Sequence, residues 1–295
     1  MAVWNLGSIN ADFTYRLPHL PGPGETLASI SRTKGLGGKG ANMSVALARA
    51  GAHVHHIGAV GPDGLWARDL LLEYGVDTRE IRQTDTETAH AIIMLDEAAE
   101  NQIVLFPGAN HEILSTDIEL ALAKASSGDV FLTQNETNNV PQAVQIANAM
   151  GLPVYYAAAP FVVEDVKQVL SYVDVLVLNE HEAAALSEAL NVSIEALEGP
   201  QDVLVTKGSQ GVTWHDLAHA TSSDFFAYEA DLVDTTGAGD TFTGYLIAGK
   251  QRGMPMAQAV DFAQRAAALM VSRQGTADVI PDLKEIQDAI FKVKS

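Results

Sequence analysis

The sequence contains no cysteine among its 295 residues. Disulfides, thiol nucleophiles and cysteine-type zinc sites are therefore excluded. Basic residues are also scarce: 18 Lys and Arg stand against 37 Asp and Glu, a formal net charge of −19. Such a surface repels phosphate backbones and anionic lipid, so neither nucleic acid nor membrane is an expected partner. No apolar stretch approaches the roughly 20 residues a membrane helix needs. The amino-terminal MAVWNLGSIN lacks the basic segment and long apolar run of a secretory signal, and a cytoplasmic protein is expected. What is present is apolar: 47% hydrophobic against 19% charged residues supplies a sizeable core. The length suits one large α/β domain with an accessory piece, and residues 1–295 are read as a single domain.

Short β-rich runs alternate with helical patterns. AVWNLGS (2–8) and HVHHIGAV (53–60) read as strands, and LWARDLLLEYG (65–75) as a helix ended by Gly75. DVFLTQ, LPVYYAAA, DVLVLN and DVLVTKG recur as buried strands separated by helix-like segments. This order predicts a three-layer α/β fold, a mostly parallel central sheet with helices on both faces. Ligands of such sheets bind at the carboxyl ends of the strands, which singles out Asn10, Asn135–Glu136, Asn179–Glu180 and Lys207–Gly208. Two segments break the pattern. Residues 12–34 hold strand-like pieces around a Pro/Gly turn, and 90–106 reads as a hairpin, AIIML and QIVLF around a polar turn. Both hairpin arms are apolar on both faces, whereas a half-exposed hairpin alternates. A small β lid is expected from these segments, one face over a ligand and the other against a second subunit.

TKGLGGKGANMSVALARAGA (33–52) raises the question of a phosphate loop, because a Gly-rich turn opening a helix favours anions. Gly35, Gly37 and Gly40 satisfy G-x-G-x-x-G, but the preceding SISRTK is polar and no acid follows at a strand end. A Walker loop ending at Gly38–Lys39 needs glycine at 33, where Thr33 stands, and Gly40 replaces its hydroxyl residue. Both phosphate readings fail. VDTTGAGDTFTGYLIAG (233–249) is stronger: Gly237, Ala238 and Gly239 open an apolar-periodic helix and expose N–H groups to an anion. Asp240 shares that first turn. Alone it reads as an acid favoured by the helix dipole; beside an anion nest it can take a proton from an attacking hydroxyl.

VDTTGAGDTFTG resembles the C-terminal signature of the ribokinase-like (PfkB) carbohydrate kinases, and GLGGKGAN their N-terminal signature. GSINAD (7–12), GAN (108–110), NEHEA (179–183) and VTKGSQG (205–211) fall in family order, so the resemblance spans nearly the whole chain. It implies an ATP-dependent sugar kinase acting on a primary hydroxyl, with D-ribose the first acceptor and ribose 5-phosphate the product. By that resemblance GGKGAN holds the phosphate acceptor: Gly37 and Gly38 allow close approach, and Lys39 and Asn42 bond its hydroxyls. Asn10 and Asp12 bind vicinal hydroxyls, and Glu136 adds a further contact. Gly237, Ala238 and Gly239 form the anion hole and Asp240 is the base. Asn179, Thr206, Lys207, Gly208 and Gly211 lie along ATP, and Glu182 acts on Mg²⁺ through water. Asp234, Thr236, Arg273 and Gly275 are the implied monovalent-cation site, for K⁺. A homodimer through the lid is expected separately, from the two-sided apolar hairpin, whose unpaired edge a symmetric pair of lids would bury.

Three positions depart from the family pattern: Val279 for a hydroxyl ligand, Ala157 for an amide near the phosphates, and Gln264 near a histidine that flanks adenine. The reaction class stands, while specificity stays open to a nucleoside, fructose or a 2-keto-3-deoxy sugar acid. Arg16, Arg32 and Lys34 in the lid are available to an acid. A catalytically inactive sugar-binding regulator is the alternative of another class, and the intact GAGD argues against it. Consecutive strand residues face opposite sides, so His55 and His56 do not share a site, and HVHH is expected to be a solvated strand. Trp4, Trp66 and Trp214 are expected in or near the core.

Overall fold

The computed structural model describes residues 1–97 and 100–294. In chain order its strands are β1 (Ala2–Leu6), β2 (Asn10–Arg16), β3 (Ser31–Gly37), β4 (His53–Val60), β5 (Ile81–Gln83), β6 (His90–Leu95), β7 (Asn101–Phe106), β8 (Val130–Thr133), β9 (Val154–Ala157), β10 (Val175–Asn179), β11 (Asp202–Thr206), β12 (Val212–Asp216) and β13 (Thr221–Phe225). Its helices are α1 (Lys39–Arg49), α2 (Leu65–Glu73), α3 (Ser115–Leu122), α4 (Val140–Ala149), α5 (Val163–Val169), α6 (Glu180–Leu190), α7 (Ala238–Gln251), α8 (Met256–Met270) and α9 (Leu283–Asp288).

Nine strands form the main sheet in the order β13-β12-β11-β10-β9-β8-β1-β4-β5. Pairing is parallel from β5 through β11 and antiparallel at β12 and β13. Alternation along the central strands builds two cores. Val3, Val130, Leu132, Tyr155, Val175 and Leu204 face α1, α2, α7 and α8. Trp4, Phe131, Tyr156, Leu176 and Val203 face α3, α4, α5 and α6. Both faces are covered, which is why these strands read as continuous apolar runs. The expected three-layer arrangement is therefore observed. Among the described residues no helix is long and apolar enough to cross a membrane.

The second sheet has four strands, in the order β3-β2-β6-β7. β2 continues almost directly from β1 through Gly7, Ser8 and Ile9, so the small sheet is anchored at the carboxyl end of the main one. β6 and β7 pair in the expected hairpin, from His90↔Phe106 to Leu95↔Asn101; its turn includes Ala98 and Ala99, which lie outside the described residues. Ile103, Val104 and Leu105 on β7 are more than half exposed, at 53, 58 and 53%.

Two local expectations are corrected. The apolar periodicity of Val45, Leu47 and Ala48 predicts a helix only after Asn42, but α1 starts at Lys39 with Gly38 as N-cap. Lys39 and Asn42 thus project from its first turn. The HVHH strand is not solvated. β4 lies between β1 and β5, so His55 and His56 are buried and only His53 is exposed. They do face opposite sides: His55 stacks on Trp4, ring centroids 4.1 Å apart, whereas His56 Nδ1 lies 2.8 Å from Ser44 Oγ of α1. Trp4 is buried, and Trp66 and Trp214 are half-buried, as expected.

Candidate active site

The amino-terminal turns of α1 and α7 are brought together by their packing. Gly244 of α7 lies so close to α1 that a methyl group there would strike the Ala46 side chain and the Met43 carbonyl. One turn earlier on each helix, Asn42 Nδ2 donates to Asp240 Oδ2 at 2.9 Å. Both side chains are buried, Asp240 being 7% exposed. Gly237 sits at φ 76° as the N-cap of α7, a conformation glycine adopts without strain. The Ala238 N–H is turned back to the Thr235 carbonyl at 3.2 Å, whereas the Gly239 N–H, which has no partner within the helix, is presented beside the Asp240 carboxylate.

The start of α1 is held by residues distant in sequence. Glu136, just after β8, accepts from Ser8 Oγ at 2.5 Å and from the Lys39 backbone N–H at 3.0 Å through the same oxygen. Ser8 Oγ in turn accepts from Gly40 N–H at 3.2 Å, and the Ala41 N–H bonds the Ser8 carbonyl. The glycines answer first to chain packing. Gly37 leaves room for the Asp12 carboxylate, and Gly40 touches the Gly7 backbone, so a side chain at either would collide.

Beneath this loop lies a buried polar chain that the sequence reading missed. Gln134 Nε2 donates to Asn5 Oδ1, and Asn5 Nδ2 donates to both Ser44 Oγ and the Gly40 carbonyl. With Ser44 Oγ already accepting, its own proton points to His56 Nδ1; the imidazole is then protonated at Nε2, which donates to the Gly7 carbonyl at 3.0 Å. Burial pushes the His56 pKa down to about 4, consistent with a neutral ring. Each donor in this chain has an acceptor, and both approaching glycines, Gly7 and Gly40, are pinned by it.

Four ionisable groups converge above the loop. Burial, reinforced by the Glu136 and Asp240 charges, pushes the Asp12 carboxyl up to about 7, and its Oδ1 is a buried acceptor without a hydrogen-bond partner. The Lys39 ammonium is held charged by Asp240 first, against desolvation, with Glu136 and Glu182 adding to it. A buried carboxyl group with an unpartnered oxygen is poised for a ligand that supplies hydroxyl donors. Asn10 is buried beside them, accepting from Asn110 Nδ2 at 2.8 Å, while Asn110 Oδ1 accepts from the Ile9 N–H. Asn110 was not among the expected site residues, although the GAN motif at 108–110 marked it.

The expected nucleotide residues occupy the neighbouring strand ends. Asn179 and Glu182 form a capping box at α6, with bonds of 2.9 and 2.8 Å. Burial raises the Glu182 pKa, opposed by the Asn179 N–H and by Lys39. Thr206 Oγ1 donates to the Leu178 carbonyl at 3.3 Å. Gly208 and Gly211 bound the turn from β11 to β12, where the Lys207 N–H bonds the Gly211 carbonyl. The Lys207 ammonium lies 3.5 Å from Asp224, in a shallow groove against α6 rather than toward α7.

Asp234, Thr236 and Gly275 also meet: the Asp234 carboxylate accepts from the Thr236 N–H at 2.9 Å and the Gly275 N–H at 3.5 Å. The Arg273 guanidinium is turned to the Val279 carbonyl at 3.1 Å and to Glu285 at 2.7 Å. Val279 supplies no hydroxyl, so a monovalent cation here would rest mostly on the main-chain oxygens of Asp234, Thr236, Arg273 and Gly275.

The profile of the pfkB family carbohydrate kinases matches residues 3–283. A ribokinase of Haemophilus influenzae is 34% identical over 295 residues, covering 95% of each chain. A ribokinase structure from Arabidopsis thaliana, complexed with ribose and ATP, superposes with a TM-score of 0.83 at 27% identity, covering 97% of this chain and 98% of that one. A ribokinase from Cryptococcus neoformans in complex with ADP gives 0.85 at 28% identity, covering 97% and 99%.

Proposed function

The chain belongs to the pfkB family of carbohydrate kinases, and we propose that it transfers the γ-phosphoryl group of ATP to the primary hydroxyl of D-ribose, giving ribose 5-phosphate and ADP. The observation that carries this reading is the Asn42–Asp240 contact, which joins the two family signatures beside Asp12 and Lys39. Vicinal ribose hydroxyls donate to the unpartnered Asp12 carboxylate, with Asn10 beside it. Lys39 and Asn42 hold the end of the sugar that reacts.

Asp240 accepts the proton of the attacking hydroxyl as its oxygen bonds to the γ-phosphorus and the bond to the ADP oxygen breaks. Asn42 holds one carboxylate oxygen, which aims the other. The N–H groups opening α7 and the Lys39 ammonium offset the charge of the transferring group. In a loose phosphoryl-transfer transition state such positioning supplies most of the catalysis. ATP lies along the ends of β10 and β11, by Asn179, Thr206, Gly208 and Gly211.

Magnesium fits Glu182. Its carboxyl is partly desolvated, and one oxygen is committed to the capping box, leaving the other to a metal-bound water. When bound, the ion neutralises phosphate charge. The exposed apolar strand β7, at the edge of its sheet, supports a homodimer in which a second small sheet covers it.

A sugar-acid acceptor is less well supported, because two of the lid cations lie over aromatic rings. Arg32 lies 4.7 Å from the Phe13 ring centre and Lys34 lies 4.1 Å from that of Trp66. ADP release over a panel of ribose, fructose, nucleosides and 2-keto-3-deoxy acids tests the assignment. Ribose is expected to give the highest kcat/KM; a better acceptor in the panel, or no turnover of ribose, would overturn it.

A further inference from the structure

At the opposite end of the sheet from the active site, His53, His55 and Asp77 offer ligand atoms that all lie within 4.8 Å of one another. His53 and His55 are two residues apart on β4 and so project from one face; their ring centroids are 4.5 Å apart. Asp77 is brought alongside by a parallel bridge to His55. Its backbone is fixed on both sides, with the Asp77 N–H bonding the Val54 carbonyl at 2.9 Å and the Asp77 carbonyl accepting from the His56 N–H at 3.0 Å. The His55 ring is held by its stack on Trp4, whose Nε1 donates to Asp129.

Two observations point to a ligand rather than to packing alone. His55 is 7% exposed, yet its Nδ1 has no hydrogen-bond partner. That nitrogen lies 3.2 Å from Asp77 Oδ2. Two ligands on a tetrahedral zinc ion, with bonds of about 2.1 Å, are separated by about 3.4 Å. Exposed His53 closes the third position by a side-chain rotation. A recess of about 380 Å³, lined by Trp4, His55, Arg79, Glu80 and Lys124, adjoins the cluster and leaves access for an ion and a water.

We propose that His53, His55 and Asp77 form a binding site for a divalent cation of the zinc class, separate from the phosphoryl-transfer centre. Two imidazoles and a carboxylate suit zinc, nickel or cobalt, whereas magnesium prefers an all-oxygen shell. Arg79 is the competing partner: its Nε lies 2.9 Å from Asp77 Oδ1 and 3.0 Å from Oδ2, its Nη2 lies 2.5 Å from Oδ2, and its backbone N–H donates to Oδ1 at 3.1 Å. Its side chain is 75% exposed and can release Oδ2 while keeping Oδ1. In that arrangement it orients the ligating carboxylate from behind, as outer-shell donors of zinc sites do. The ion would fasten the segment before β5 to β4.

Calorimetric titration of the full chain with zinc chloride, in excess magnesium, tests this. One strong equivalent per chain is expected. His53→Ala, an exposed position outside the kinase machinery, should weaken it roughly tenfold or more, since disturbing even the outer shell of a zinc site costs that much. His219→Ala, at a histidine paired with Asp216 elsewhere, should leave it unchanged. Kinase activity of both variants serves as the folding control. With Trp66 and Trp214 replaced by phenylalanine, cobalt should quench the remaining Trp4 emission saturably. Absence of a strong zinc equivalent, its survival in His53→Ala, or an unquenched Trp4 would overturn the proposal.

Discussion

Asn42 Nδ2 and Asp240 Oδ2, 198 positions apart in the chain, meet in a buried hydrogen bond of 2.9 Å. A hydrogen bond to a charged partner contributes about 1.5–3 kcal/mol, but its larger consequence is geometric. It ties the amino-terminal turn that holds the acceptor to the one that holds the proposed base. Substitutions around it should therefore separate sugar binding from nucleotide binding.

Lys39→Ala and Asn42→Ala are expected to weaken ribose binding more than ATP binding, because both project from α1 toward Asp240. Calorimetry with each ligand alone decides. A selective loss of ATP affinity would return the Gly-rich loop to a nucleotide role. Glu182→Gln should act at the other end, raising the magnesium concentration needed for half-maximal rate while leaving ribose affinity intact.

Asp12 makes ribose affinity and stability respond to pH in opposite directions. Its folded pKa, about 7, lies above the model-compound value of 3.8, so the native state holds the proton more tightly between these limits. Stability therefore falls as pH rises through that window. Ribose affinity should rise over the upper part of it, since the ionised carboxylate accepts two hydroxyl donors. Asp12→Asn should remove the alkaline loss of stability, raising Tm above pH 7, while lowering ribose affinity. A variant that binds ribose normally would take Asp12 out of the site.

The His56 chain supports the same loop from below. His56→Phe keeps the ring volume but deprives the Ser44 hydroxyl proton of its acceptor and the Gly7 carbonyl of the imidazole donor, at a cost of about 1–3 kcal/mol per buried group. Urea unfolding measures it. The pKa falls from 6.5 to about 4 on folding, so the unfolded state binds the proton more tightly. The His56 contribution is present above about pH 6.5 and is lost progressively as pH falls toward about 4. Unchanged stability in His56→Phe, or no acid-side loss attributable to it, would contradict the hydrogen-bond chain.

Leu105→Glu on β7 should disrupt the proposed dimer, placing a charge on a 53% exposed apolar edge strand. Sedimentation at micromolar concentration is expected to show a dimer for the wild type and a monomer for the variant. A wild-type monomer of full activity would contradict the assembly.

What the sequence made legible, and what it did not, follows from locality. β1, β8, β9, β10 and β11 were readable because strands buried on both faces are continuous apolar runs, and the period of two assigns their faces. Gly237, Ala238, Gly239 and Asp240 were readable because they are contiguous. The early start of α1 was not, because Gly38 supplies no side-chain cap and the carboxylate at that turn, Glu136, is 97 residues from Lys39. Ser8, Asn110 and the chain of Asn5, Gln134, Ser44 and His56 were missed as site residues for a related reason. Each is a single polar residue in or beside a regular element, and only tertiary packing brings their donors and acceptors together. The two buried histidines were misjudged because a strand's neighbours in a parallel sheet cannot be read from its own letters.

The kinetics of Asp240→Asn test the account most directly. The substitution preserves shape and hydrogen-bonding reach but removes the charge and the basicity. Loss of a general base typically costs about 10²–10⁴-fold, so kcat for ribose phosphorylation should fall by at least about 10²-fold while the folded variant still binds ATP. A fall of less than about tenfold, worth only about 1.4 kcal/mol of barrier, would make Asp240 a helix-terminal acid and contradict the mechanism.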